Sequence, residues 1–143
     1  MTGGQQASPP RPIMFNKLLG FQVFVAVMSC LGVWLLGHGQ LDPGPSTAFI
    51  GYAVAAAGLV LGGYVVVRLR PTLPRAGPGQ TVDDYLATPA NVGAATHAWI
   101  LTGGAGVMCW LGLAMSGIWA DAFVGAVSLV LYVALRPSVL ARQ

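Results

Sequence analysis

The chain has 143 residues, 55% of them hydrophobic and only 8% charged, with a formal net charge of +3. A soluble domain carries roughly a quarter of its residues as charges. The composition therefore excludes water as the main solvent and predicts an all-α integral membrane protein. The small basic excess is used up by the membrane topology, so no basic face remains for nucleic acid.

Residues 1–17 read as a cytoplasmic N-terminal segment, disordered because its first dozen residues are polar and rich in Gly, Gln and Pro. Its opening, Met1-Thr-Gly-Gly-Gln-Gln6, resembles a common expression-tag leader. Residues 18–140 form the transmembrane domain. A span needs about 20 mostly apolar residues. Four stretches meet or approach this, over about residues 18–36, 47–67, 96–115 and 118–135, and the one charged residue within them is Asp121, at the start of the fourth. The first is too long for a cleaved signal peptide and lacks a small-residue cleavage site. Val27-Met-Ser-Cys30 departs from a lipoprotein box, because the apolar run continues past Cys30 to Leu36.

Arg11 and Lys17 precede the first span, Arg68, Arg70 and Arg75 follow the second, and Arg136 and Arg142 follow the fourth. All the basic residues thus fall on one side, which the positive-inside rule makes cytoplasmic. The expectation is a multi-pass protein of the cytoplasmic (inner) membrane, built as two hairpins with both termini inside. Arg68, Arg70, Arg75 and Arg136 set this topology and meet lipid headgroups.

Between the first two spans, Pro43, Gly44 and Pro45 break the chain, and Ser46 or Thr47 is placed to cap the next helix. The cytoplasmic loop, residues 68–95, starts irregular with Pro71, Pro74 and Pro78. Thr81-Val-Asp-Asp84 then resembles a capping box and predicts a short interfacial helix over residues 82–87. Thr88-Pro89 marks the start of the third helix, ahead of the hydrocarbon. Residues 71–91 are expected to offer a docking surface.

The halves of the chain echo each other. Tyr64-Val-Val-Val-Arg-Leu-Arg-Pro71 parallels Tyr132-Val-Ala-Leu-Arg-Pro137, and Ala48-Phe-Ile-Gly51 parallels Ala122-Phe-Val-Gly125. Cys30-Leu-Gly32 parallels Cys109-Trp-Leu-Gly112 with a one-residue displacement. Both halves start inside, so the pattern is a parallel 2+2 internal repeat.

Membrane helices associate through close backbone contact at small residues. Gly58 and Gly62 form a GxxxG, and Ala98, Thr102 and Gly106 form a small-residue stripe, extended by Gly112 and Ser116. Packing within the bundle is the plainer use of these faces, and docking of a protein or pigment the other. His97 is the one candidate cofactor ligand. Its imidazole suits haem iron or a chlorin's magnesium, Gly93 one turn earlier leaves room for a flat ring, and Trp99 reads as an interfacial aromatic. His38 lies at the opposite face, across ~30 Å of hydrocarbon, so the two cannot share a haem. Cys30 and Cys109 sit at similar depth and read as small apolar residues.

There is no P-loop, HExxH, nucleophile-base set or dinucleotide fingerprint. With no Lys or Arg in the spans and their one carboxylate, Asp121, at a span end, coupled transport lacks its usual carriers. The expectation is a non-enzymatic accessory or scaffolding subunit of a larger membrane complex, respiratory or photosynthetic, whose partners are membrane lipids and other subunits. The alternatives are a small homo-oligomeric transporter or channel, and a haem- or chlorin-binding subunit using His97.

Overall fold

The computed structural model describes residues 12–38 and 44–140. The readings of residues 1–11, of Pro43 and of Arg142 lie outside these. Every element among the described residues is helical. They are α1 (Pro12–Gly37), α2 (Pro45–Tyr64), α3 (Val82–Ala87), α4 (Pro89–Ser116), α5 (Ala120–Ala134) and a four-residue α6 (Pro137–Leu140).

Three of these are long and apolar enough to cross a membrane: α1, α2 with its continuation to Thr72, and α4. At 1.5 Å per residue the 28 residues of α4 reach roughly 42 Å. The fourth expected span is shorter than its sequence suggested, because the 15 residues of α5 cover only about 22 Å. Gly117 closes α4 in the left-handed conformation, φ 68°, where a side chain would be strained, and its N–H returns to the Leu113 carbonyl. Ile118 and Trp119 are spent on the turn that follows, and Leu135 ends α5 two residues before Pro137.

Several boundaries moved from their sequence positions. Helix α1 starts at Pro12, so residues 13–17, expected in the disordered segment, are helical. Helix α2 is capped by Gly44 with Pro45 at its first position, and no Ser46 or Thr47 side chain is used. Beyond Tyr64 it continues as a π-helical turn, Val65–Leu69, and a 3-10 turn, Arg70–Thr72. Pro71 has no N–H and its ring collides with the carbonyl four residues back in a regular helix. Widening the preceding turn, with Arg70 N–H reaching the Val65 carbonyl, accommodates it. Arg68 and Arg70 therefore ride on the helix, and the loop begins later than residue 68.

Helix α4 is the hub. It packs against α1, α2 and α5, whereas α1 and α2 barely touch each other. Over its most apolar stretch 56% of α4 is buried, against 22% for α1 and 28% for α2. The two halves of the chain thus pack differently, since α4 and α5 share a broad contact that α1 and α2 lack.

The α2–α4 contact is made by backbone. A Cβ on Gly51 would lie 2.6 Å from the Ser116 nitrogen, and one on Gly112 would lie 2.6 Å from the Ala55 Cβ. A Cβ on Gly58 would meet the Ala105 carbonyl oxygen at 2.8 Å. Gly51, Ala55 and Gly58 face Ala105, Cys109, Gly112 and Ser116 at spacings of three and four residues, one side of each helix. At the basic end a second core gathers Phe15, Val65, Leu73, Tyr85, Trp99, Tyr132 and Leu140. Phe15 lies edge-on to Trp99 at 5.3 Å and stacks with Tyr132 at 5.0 Å.

Gly112→Val wedges the α2–α4 seam apart and is expected to cost about 2 kcal/mol or more. Gly104→Ala, at an outward position with nothing within 4 Å, is expected to leave stability unchanged or raise it. Thermal unfolding in detergent, followed by circular dichroism, checks both.

Candidate functional site

The interior at mid-helix holds a polar contact among three helices. Gln22 of α1 is fully buried, and its amide donates to Ser128 Oγ of α5 at 2.8 Å. Ser128 in turn donates to the Gly125 carbonyl. Gly106 of α4 makes room for this bond, since a Cβ there would overlap the Gln22 amide. In an apolar interior a buried polar group is stable only when bonded, so Gln22 and Ser128 fix how α1 and α5 face one another. Gln22 Oε1, Trp110 Nε1 and Tyr132 Oη are buried without a hydrogen-bond partner among the described residues.

The other candidate residues fall in distinct places. Ala98 is buried beside Trp99 in the aromatic core, and the Thr102 hydroxyl bonds back to the Ala98 carbonyl at 2.8 Å. Thr102 and Gly62 face an apolar groove between α2 and α5, floored by α4, of about 290 Å³. At Gly62 a Cβ would find only ordinary contacts, near 3.8 Å, so the tight partner of Gly58 is Gly51 and not Gly62. Ser116 donates to the Asp121 carboxylate at 2.6 Å, joining the end of α4 to the first turn of α5. Gly51, Ala55 and Gln22 were missed from sequence. Gly51-Tyr-Ala-Val-Ala55 is itself a small-xxx-small pair and signalled the seam. Gln22, the one amide inside the first apolar run, signalled a buried contact.

His97 is exposed on the outer side of α4, and so is Gly93 one turn earlier. A planar ring held there would lie outside this bundle, against lipid or a neighbour. Trp99 is not the interfacial aromatic expected. It is 1% exposed, and its indole donates to the Leu135 carbonyl at 2.6 Å, satisfying an end of α5. The exposed tryptophans are Trp34 and Trp119, both at the end away from the arginines, where an aromatic belt belongs. His38 shares that end and packs against Trp34. Cys30 and Cys109 are both free and do not meet. Cys109 packs on Gly58 of α2, and Cys30 packs in the core of α1 with Trp110 and Leu113. Among the described residues no group of three His, Cys, Asp or Glu is placed to hold a metal ion.

The loop between α2 and α4 folds back over the bundle. Helix α3 opens on a complete capping box, in which Thr81 Oγ accepts from Asp84 N–H and the Asp84 carboxylate accepts from Thr81 N–H. Tyr85 is fully buried beneath the loop and its hydroxyl donates to the Pro74 carbonyl at 2.8 Å. Burial pushes that hydroxyl up from its ordinary pKa. Asn91 ties α4 to α3 through the Tyr85 carbonyl. Arg68, Arg70, Arg75 and Arg136 are all exposed around this end. No known protein family, curated protein or solved structure matches the chain.

Replacing Trp99 with Phe keeps the ring but strands the Leu135 carbonyl, at an expected cost of about 1–2 kcal/mol in thermal unfolding. Thr81→Ala removes the N-cap and speeds amide exchange over Val82–Ala87, by about fivefold if the cap contributes roughly 1 kcal/mol. The Thr81 hydroxyl and backbone hold the Asp84 carboxyl below its ordinary value of 3.8. A lowered folded-state pKa stabilises at pH above the unfolded value and is lost as pH falls through the lowered one. Exchange protection of α3 is therefore expected to stay constant from neutral pH to near 4 and to fall only below it.

Proposed function

We propose that the protein is a non-enzymatic accessory or scaffolding subunit of a larger membrane complex. It lies in the cytoplasmic membrane, with α1, α2, α4 and α5 crossing as two hairpins and both termini inside. The observation that carries this reading is the outer surface of the long helices. Outward-facing Phe21, Phe24, Met28 and Trp34 on α1 and Val60 and Val67 on α2 are all exposed. Outward glycines such as Gly20, Gly63 and Gly104 have open space where a side chain would be. Glycine adds little to lipid contact but lets another helix approach closely. The buried residues, by contrast, are used for packing and for capping helix ends.

Arg68, Arg70, Arg75 and Arg136 at one end, and Trp34 and Trp119 at the other, support the orientation. The paired sequences around Gly51 and Gly125 support the duplicated hairpin, since both glycines turn towards α4. The position of His97 outside the bundle supports a narrower form of the cofactor reading, in which a haem or chlorin is shared with a neighbouring subunit.

The test is purification from native membranes in mild detergent, with mass spectrometry and an absorbance spectrum taken on one peak. Stoichiometric partner chains are the expected outcome. Visible absorbance that disappears in His97→Ala would assign the cofactor. A colourless peak of this chain alone would overturn the subunit reading and make solute flux in liposomes the next measurement.

A further inference from the structure

The groove between α2 and α5 has features that select its occupant. Its walls are apolar and include Gly58, Gly62 and Gly63 of α2 and Leu131 of α5. The two hydroxyls on its lining, Thr102 and Ser128, are both turned back to carbonyls of their own helices. The groove therefore presents no free donor to a polar ligand. Its volume is about 290 Å³. A run of methylenes one chain wide fits.

The groove does not end in hydrocarbon. Val66 and Leu131 also border a small cleft of about 10 Å³ that is lined by Arg70 and Leu135. From Gly58 to Arg70 the wall rises roughly 18 Å along α2, close to half of the ~30 Å hydrocarbon core. Arg70 is exposed and has no carboxylate partner among the described residues, and Arg136 follows Leu135 at the same end. An apolar groove with an unpaired arginine just beyond its end is complementary to a lipid with an anionic headgroup.

We propose that this groove binds an anionic phospholipid of the cytoplasmic leaflet, with one acyl chain along Gly62 and Gly63 and its phosphate at Arg70. The site rests on the membrane orientation given above but not on the subunit reading. Bound there, the acyl chain closes the gap between α2 and α5, which share few contacts.

The test uses the full chain, purified in detergent, stripped of lipid and titrated with dioleoyl-phosphatidylglycerol or dioleoyl-phosphatidylcholine under native mass spectrometry. One phosphatidylglycerol per chain is expected to be retained, about fivefold more tightly than phosphatidylcholine for each arginine engaged. Arg70→Gln is expected to reduce this preference, and Lys17→Gln, exposed on α1 and outside the lining of the groove, to leave it intact. Gly62→Leu fills the slot from a position where a Cβ meets only ordinary contacts, and is expected to abolish retention of both lipids while helix content is unchanged. Equal retention of the two lipids by the unsubstituted chain, or unchanged retention in Gly62→Leu, overturns the proposal. A change of oligomeric state in Gly62→Leu with lipid retention intact gives the groove to a second copy and overturns it as well. Release of the chain from membranes by alkaline carbonate overturns its insertion in the bilayer, a result separate from either lipid outcome.

Discussion

The contact of α2 with α4 is close enough that backbone meets backbone. In lipid the apolar surfaces of two helices gain nothing by leaving hydrocarbon for each other, so attraction must come from packed atoms at short range. Gly51 and Gly58 on one helix and Gly112 on the other supply that range, each at a point where a methyl group would collide. With this seam set, the other positions around α4 follow. Gly106 turns towards α1 and α5 and admits the Gln22–Ser128 bond. Gly125 lets the Trp110 ring lie against α5. Three neighbours are thus arranged around one helix by where its small residues and those of its partners fall.

The basic end is stabilised differently. There the packing is aromatic, with Phe15, Trp99 and Tyr132 in contact and Tyr85 covering them from the loop. Each helix end also needs its free carbonyls or amides satisfied. The Trp99 indole and the Asn91 amide meet this need from other helices, and the Thr81–Asp84 box meets it locally. The loop is consequently part of the fold, joined to the membrane helices by its own core.

Much of the local structure was legible in the residues. The α3 capping box and the Pro89 start of α4 were readable because caps depend on a few adjacent side chains. The three long apolar helices were readable from length and composition alone. Helix partners were harder, because a small residue announces a close approach without saying what approaches. Gly62 looked equivalent to Gly58, yet the seam diverges before reaching it and leaves a groove. Trp99 looked interfacial by its position near a span end, and its burial depends on Phe15 and Leu135, both distant in sequence. The continuation of α2 past Val67 depended on a π turn, which a repeat of 3.6 residues does not anticipate.

The hub position of α4 has a consequence for synthesis. The chain is made from its N-terminus, so α1 and α2 exist before α4 does. They have almost no contact with each other, and neither can bury Gln22 or the Gly51–Gly58 face alone. The first two long helices must therefore wait unpaired, with an amide group and a glycine track open to other occupants. Assembly of this small bundle is decided at the arrival of its third long helix, and any protein that holds α1 or α2 before then acts as a chaperone for the fold.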